Sequence, residues 1–253
     1  MKKIIAIFVL AVMFAACEEE EKTIEFQQYS VERSFEDCNP ENGDCTFISL
    51  TYPLIATEAD QAEKINSKIE QHIIEIVDFQ DGDSITSPEE MAGIFIASYA
   101  ENLEEFPEYA LPWEAVIFGE VSLKTASLIS VKFDSQLFTG GAHGYGSISF
   151  LNFDPNTGKT FSQKQLFTAE FRSFMEKEFR KRQEIPADVP INSTGMFFEE
   201  DEFQLPANIG FTEDKLVLHY NPYEIAAYSE GTLKFEFPYS EVKDFLKINL
   251  KAE

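Results

Sequence analysis

A glycine-rich loop at residues 139–146 precedes a strand-like run and a second turn. Four glycines surround an alanine and a histidine in it: Gly140, Gly141, Gly144 and Gly146 around Ala142 and His143. Glycine adopts positive φ without a steric penalty, so this composition predicts a tight loop whose backbone approaches another part of the protein. Residues 147–153 then read as a strand, and Asp154-Pro155-Asn156-Thr157-Gly158 has turn composition. A strand between two tight turns indicates antiparallel sheet.

The remaining segments divide into strand-like and helix-like patterns. Residues 114–124 and 128–138 form the best strand pair, since Ile129, Val131 and Phe133 alternate with polar residues. Helices are predicted after Thr57, which has Asp60 three residues on, and after the capping box that begins at Ser87. Further elements are expected as strands at 24–36, 45–52, 203–211, 215–220 and 232–237, and as helices at 167–179 and 240–247. Strand pairs with clustered helices predict an α+β fold of antiparallel sheets with packed helices.

The first 17 residues predict export and lipid attachment. Lys2 and Lys3 precede an apolar run at 4–14 that is too short to span a bilayer, and Ala15-Ala16-Cys17 resembles a bacterial lipobox. We expect residues 1–16 to be a lipoprotein signal peptide, Cys17 to carry the lipid, and 17–23 to be an acidic tether. The alternative is an ordinary secretory signal with an incidental cysteine. The predicted location is the bacterial cell envelope, on the outer membrane or cell surface in a Gram-negative organism.

The acidic composition restricts the classes of partner. The chain has 20 basic and 45 acidic residues, and removal of Lys2 and Lys3 takes the basic count from 20 to 18 and the net charge from −25 to −27. Nucleic-acid binding requires a basic surface and is not expected. A cationic protein suits this charge because opposite fields speed association, although an acidic surface also serves solubility alone.

Two cysteines remain after Cys17. Cys38 and Cys45 flank a turn-rich segment, and in an exported protein this spacing predicts a disulfide that closes a hairpin. A zinc site would need two further ligands, and no histidine lies nearby in the sequence.

Motifs for catalysis are absent from the sequence. No G-x-S-x-G, Walker loop or H-E-x-x-H occurs in the sequence. The common motifs of hydrolases, nucleotide-binding proteins and zinc proteases are therefore absent. A three-histidine metal site would need His72, His143 and His219 together, and we predict neither a metal nor a cofactor. His143 is the best single chemical candidate; the alternative is that its ring bonds to a carbonyl and holds the loop. His72 borders an apolar helical stripe and is interpreted as a boundary residue.

Two motifs identify a family resemblance. The stretch GGAHGYGSISFLNFDPNTGKTFSQKQLF at 140–167 resembles the extracellular domain of the lysozyme-binding anti-sigma factor RsiV, a domain type that also precedes the catalytic part of PdaC-type peptidoglycan deacetylases. The later stretch NIGFTEDKLVLHYNPYEIAAYSEG at 208–231, followed by FEFPYSEV, resembles the second signature of the same family. The resemblance implies two closely packed halves, which we place at 24–160 and 161–253.

The resemblance also implies a function. RsiV-like domains bind lysozyme through variable loops, so we expect a lipid-anchored, non-catalytic protein that recognises a lysozyme-like protein or a peptidoglycan-derived ligand. The sigma-binding segment, membrane span and deacetylase domain of the relatives are not expected here. Alternatives are a cell-wall glycan hydrolase or deacetylase-like enzyme using His143, and a structural or assembly lipoprotein. The ligand-binding candidates lie in the glycine loop and in a later turn: Gly140, Gly141, His143, Tyr145, Tyr223 and Tyr228.

Overall fold

The computed structural model describes residues 24–58, 61–78 and 85–250. The strands are β1 Phe26–Ser34, β2 Phe47–Ile55, β3 Glu114–Lys124, β4 Ile129–Phe138, β5 Tyr145–Phe153, β6 Asn208–Phe211, β7 Lys215–Tyr220 and β8 Leu233–Pro238. The α-helices are α1 Ala62–Val77, α2 Pro88–Glu105, α3 Gln163–Leu166, α4 Glu170–Arg182 and α5 Tyr239–Val242. Together they form the predicted α+β fold, with one sheet in each of two packed halves.

The first half is a five-stranded sheet in the order β1-β2-β3-β4-β5. The predicted hairpin of β1 and β2 is confirmed, with Phe26 opposite Ile55. All pairs are antiparallel except β2 and β3, which run parallel from Phe47 beside Glu114. Helices α1 and α2 lie between these two strands in the chain and supply the long connection that a parallel pair requires.

The helices α1 and α2 cover one face of this sheet. The predicted alternation in β4 is confirmed, because Ile129, Val131 and Phe133 are fully buried in the core with the helices. The apolar stripe of α1, which His72 borders, is buried at Ala62, Ile65, Ile69, Ile73 and Val77. The spacing of apolar residues in the sequence therefore predicted correctly which faces of β4 and α1 are buried.

Several predicted boundaries were wrong, among them the start of α1 and the start of β6. Helix α1 begins at Ala62 with Gln61 before it, so Thr57 is not its cap; the first intrahelical bond runs from Ile65 N–H to the Gln61 carbonyl. The predicted strand 203–211 is a strand only from Asn208, because the carbonyls of the preceding residues accept side-chain bonds. Arg172 donates to the Phe203 carbonyl, and the Tyr220 hydroxyl donates to the Gln204 carbonyl at 2.6 Å.

The second half is the sheet β6-β7-β8 packed against α4. Its core is rich in phenylalanine, including Phe171, Phe179, Phe211 and Phe235, each fully buried. In the long loop after α4, Phe198 docks into this core, whereas Phe197 is 48% exposed. The loop is held by Arg180, which donates to the carbonyls of Pro186 and Val189.

The halves meet where β6 crosses β3, β4 and β5. The Ser122 hydroxyl donates to the Phe211 carbonyl at 2.8 Å, and the Phe211 N–H donates to Ser130 Oγ at 3.2 Å. Asn152 Nδ2 donates to the Ile209 carbonyl at 2.7 Å. Side chains of the first sheet thus satisfy backbone groups of β6 that no strand pairs.

The segment between β1 and β2 carries a disulfide. Cys38 and Cys45 are joined, with their Cα atoms 5.5 Å apart. Cys17, the signal peptide and the predicted tether lie outside the described residues. Within the described ranges, no helix has the length and apolar character needed to cross a membrane.

Candidate functional site

The glycine loop connects β4 to β5 and has the predicted tight geometry. Gly140 and Gly141 have φ angles of +94° and +88°, a left-handed conformation that side chains disfavour. His143 Nδ1 donates to the Gly144 carbonyl at 2.9 Å, so the ring is fixed relative to its own loop. Tyr145 follows at once as the first residue of β5.

A second turn, between β7 and β8, carries the two predicted tyrosines. The Glu224 N–H donates to the Asn221 carbonyl at 3.1 Å, and Pro222 and Tyr223 occupy the two central positions. Tyr223 has φ of +67°, where a type II turn normally has glycine. A tyrosine in this conformation is strained, and strained residues concentrate at functional sites.

The two turns come together through their aromatic side chains. The His143 ring stacks on Tyr228 with centroids 3.9 Å apart and planes 16° apart, and Tyr228 contacts Tyr223 at 5.3 Å. The Tyr228 hydroxyl donates to the Gly144 carbonyl at 3.0 Å, and the Tyr145 hydroxyl donates to the Pro222 carbonyl at 3.4 Å. We call His143, Tyr145, Tyr223 and Tyr228 the aromatic joint. Four of the six predicted ligand-binding residues therefore meet in one place.

Gly140 and Gly141 shape the loop on the side toward β3. The nearest neighbour to a Cβ atom built on Gly140 would be Trp113 Nε1 at 4.0 Å, and a Cβ on Gly141 would have nothing within 4 Å among the described residues. The loop backbone at Gly141 is thus open to a ligand.

Two residues that the sequence reasoning missed hold the joint in place. The Asn221 side chain accepts from the Ile148 N–H at 2.9 Å and donates to the Ile148 carbonyl at 3.0 Å, as a neighbouring strand would. Glu224 accepts the N–H groups of Ala207 and Asn221 at 2.7 and 2.9 Å. The Asn-Pro start of this turn was the available signal, because asparagine side chains commonly bond to backbone at turns.

Burial shifts the pKa values of two groups at the joint, the Glu224 carboxyl and the Tyr145 hydroxyl. Desolvation raises the pKa of Glu224, although its two backbone N–H bonds act in the opposite direction. Burial, and next the nearby Glu224 carboxylate, raise the pKa of Tyr145. Tyr145 is therefore protonated at neutral pH and can donate its hydrogen bond to Pro222.

The three histidines lie in different parts of the fold. His72 on α1 is half-buried, bonds through Nε2 to Ser149 Oγ at 2.7 Å, and has its pKa lowered to about 4 by burial. His219 on β7 is buried, and burial lowers its pKa too. No cluster of three or more histidine, cysteine or acidic side chains suited to a metal ion occurs in the part of the chain that the structure describes.

Comparison with known families gives two adjacent matches. Residues 161–240 match a family described as Protein of unknown function (DUF3298), and residues 39–145 match the family Deacetylase PdaC. The predicted resemblance is confirmed. The N-terminal match ends at Tyr145 and contains His143, whereas the DUF3298 match contains Tyr223 and Tyr228. The aromatic joint is thus built from both matched segments.

Solved structures share this fold. A DUF3298 family protein from Pseudomonas aeruginosa PAO1 is 19% identical, with a TM-score of 0.60 over 91% of this chain and 98% of its own. A DUF3298 family member from Bacteroides fragilis NCTC 9343 is 18% identical, with a TM-score of 0.63 over 89% and 94%. Among curated proteins, none matches this chain. The chain therefore has the fold of a family whose function is unknown.

Proposed function

We propose that this protein is a lipid-anchored, non-catalytic binding module of the bacterial envelope, and that the aromatic joint is its ligand-binding surface. The observation that carries the proposal is the meeting of His143 and Tyr145 with Tyr223 and Tyr228 across the two halves. Tyr223 is 54% exposed in a strained conformation, so a large aromatic side chain is presented at the surface at a cost to stability. Exposed, rigidly held tyrosines are typical of binding hot spots.

The ligand that we favour is a lysozyme-like protein. The net charge of −27 that remains without Lys2 and Lys3 (18 basic against 45 acidic residues) attracts a cationic wall-degrading enzyme and steers its approach. A peptidoglycan-derived ligand is the second candidate, because PdaC relatives act as deacetylases and aromatic rings contact sugars well. The anionic groups of a peptidoglycan-derived ligand would, however, be repelled by this acidic surface.

Calorimetric titration tests the proposal. The purified protein is titrated with several cationic lysozymes and, separately, with soluble muropeptides. Tyr223→Ala and Tyr228→Phe test the joint, and Tyr29→Ala on β1, also an exposed tyrosine, is the matched control. We expect Tyr223→Ala to weaken binding by about tenfold or more while Tyr29→Ala leaves it unchanged. No heat with any lysozyme or muropeptide would overturn the proposal.

The enzyme alternative has less geometric support. His143 Nδ1 is occupied by the Gly144 carbonyl and its ring face by Tyr228, and no salt bridge joins it to a carboxylate among the described residues. A general acid or base would make turnover fall by about 10²–10⁴ in His143→Ala. Such a loss with any wall substrate would replace the binding proposal. A structural or assembly role would appear instead as stable co-purification with an envelope component.

The anchor is proposed from the sequence alone. A diacylglycerol with a further acyl chain buries many methylenes at about 0.8 kcal/mol each, which suffices for stable membrane attachment. The full-length protein should partition into detergent, and Cys17→Ser should abolish both acylation and partitioning. Unchanged membrane association of Cys17→Ser would refute the anchor.

A further inference from the structure

A second surface, which shares no residue with the aromatic joint, lies in the segment between α2 and β3. Phe106, Tyr109 and Leu111 are 48%, 82% and 50% exposed, and they are three of eight large apolar side chains exposed in the described residues. We call these three residues the apolar patch. The N–H groups of Tyr109 and Ala110 both donate to the Phe106 carbonyl, so the turn that presents the patch is internally bonded. Clustered exposed apolar side chains of this kind mark interaction sites.

The patch is surrounded by charge of one sign. Five exposed glutamates flank it: Glu101, Glu104, Glu105, Glu108 and Glu114. None of them forms a salt bridge with a described residue, and the sequence contains no lysine or arginine from residue 69 to residue 123. The charges of this rim are therefore unneutralised by the protein itself.

The patch is followed in the chain by a packed aromatic cluster. The Trp113 ring packs against Phe95 and Tyr99, with ring centroids 5.7 and 5.8 Å apart. The backbone N–H of Trp113 donates to Thr46 Oγ1 at 2.8 Å. Phe35, which begins the segment that carries the disulfide, makes an edge contact with Tyr99 on α2 at 5.2 Å. A preorganised surface loses little conformational entropy when it binds.

We propose that the apolar patch and its glutamate rim bind cationic amphipathic peptides. The apolar face of such a peptide would cover Phe106, Tyr109 and Leu111, and its lysine or arginine side chains would meet the unpaired glutamates. Charge complementarity selects this class, because anionic lipids and nucleic acids are repelled by the rim and a neutral apolar peptide gains nothing from it. This site does not depend on the aromatic joint or its ligand.

The test uses the single tryptophan of the chain. Trp113 lies two residues from Leu111, so its fluorescence responds to occupancy of the patch. Because the glycine loop also approaches Trp113 at Gly140, the variants described below assign the response to the patch. The probe is a synthetic leucine–lysine amphipathic helix of about 18 residues, and the counter-probe is the same peptide with glutamine in place of lysine. We expect saturable binding of the lysine peptide that weakens as NaCl rises from about 50 to about 300 mM, and no binding of the glutamine peptide.

Two double variants and a control locate the site. Glu104→Lys with Glu108→Lys removes the complementary charge, and Tyr109→Ser with Leu111→Ser removes the apolar contact. Each should weaken binding about tenfold or more. Glu213→Lys with Glu241→Lys makes the same change in net charge at exposed residues outside the patch and should leave the affinity nearly unchanged.

Equal weakening by both lysine pairs would mean that net charge alone attracts the peptide, and it would overturn the proposal. Unchanged affinity in either patch variant would overturn it too. Circular dichroism establishes that each variant is folded. Tyr223→Ala, which removes a ring of the aromatic joint outside the glycine loop, should leave the affinity for the lysine peptide unchanged, so the two binding proposals can fail separately.

Discussion

The ring of Phe150 on β5 lies directly over the backbone of Gly210 on β6. A Cβ atom at residue 210 would be 1.9 Å from Phe150 Cδ1 and 2.4 Å from its Cγ, well inside van der Waals contact. Phe150 belongs to the first half and Gly210 to the second. The absence of a side chain at residue 210 therefore sets how closely the halves approach.

The first prediction concerns this contact. Gly210→Ala should lower the free energy of unfolding by about 1–3 kcal/mol, because the ring must move out of a packed interface. Urea denaturation measures it. Gly93→Ala on α2, where a Cβ would meet nothing within 4 Å among the described residues, is the control and should gain about 0.5–1 kcal/mol. Equal stabilities of the Gly210 variant and wild type would contradict the close contact.

The second prediction separates stability from binding at Tyr223. A left-handed non-glycine residue costs about 1–2 kcal/mol, so Tyr223→Gly should be as stable as wild type or up to about 1 kcal/mol more stable. The same variant should lose ligand affinity at the aromatic joint. Tyr223→Ala is the comparison, because it removes the ring and keeps the strain. If Tyr223→Gly is clearly less stable than Tyr223→Ala, the strain argument is wrong.

The third prediction tests the strand-like pairing of Asn221 with Ile148. Asn221→Asp keeps the shape and the acceptor, but it cannot donate to the Ile148 carbonyl and it places a carboxylate oxygen against it. We expect a loss of about 1–3 kcal/mol in thermal or urea unfolding. Asn42→Asp, at an exposed residue of the disulfide loop, introduces the same charge and should change stability little. A similar loss in both variants would assign the effect to charge alone.

The fourth prediction concerns acid stability. Burial lowers the pKa of His72 from 6.5 to about 4 in the folded state. Between these values the unfolded chain binds a proton that the folded protein does not, so stability falls as the pH is lowered through this window. The loss from pH 7 to pH 4.5 should be about 2 kcal/mol smaller in His72→Gln than in wild type.

Ser149→Ala is the control for that measurement. It removes the hydrogen-bond partner of His72 but retains a histidine that titrates. Its pH dependence should stay close to that of wild type. If His72→Gln and wild type lose the same stability on acidification, His72 does not titrate as proposed.

The fifth prediction concerns the disulfide between Cys38 and Cys45. A loop of this length restricts the unfolded chain, so the double variant Cys38→Ala with Cys45→Ala should be about 2–3 kcal/mol less stable. The intact mass of exported protein should rise by two hydrogens on reduction. Free thiols at both positions in the native exported protein would contradict the pairing.

Local patterns were sufficient to predict most elements. The alternation at Ile129, Val131 and Phe133 and the stripe of α1 depend only on neighbours in the sequence, and both were predicted correctly. Turn composition likewise singled out His143 and Tyr228. Residue spacing reveals these elements because a strand or helix that buries one face has apolar residues at the period of that element.

Contacts between distant residues were not predictable in the same way. The parallel pairing of β2 with β3 brings together strands separated by two helices, and no local pattern encodes it. Gly144 and Tyr228 are 84 residues apart, and their contact depends on Asn221 pairing with Ile148. Within the long loop, Phe197 and Phe198 are adjacent and chemically identical, yet only the fold decides that one is buried.

The contacts of Asn221 and Asn152 also protect an edge. β5 is the last strand of its sheet, and the second half covers its outer side through the Ile148 backbone and the Asn152 side chain. A fragment ending after β5 would expose these backbone groups along an edge strand, which is a template for pairing with other copies. We therefore expect the second half to limit self-association of the first half, as well as contributing its tyrosines to the joint.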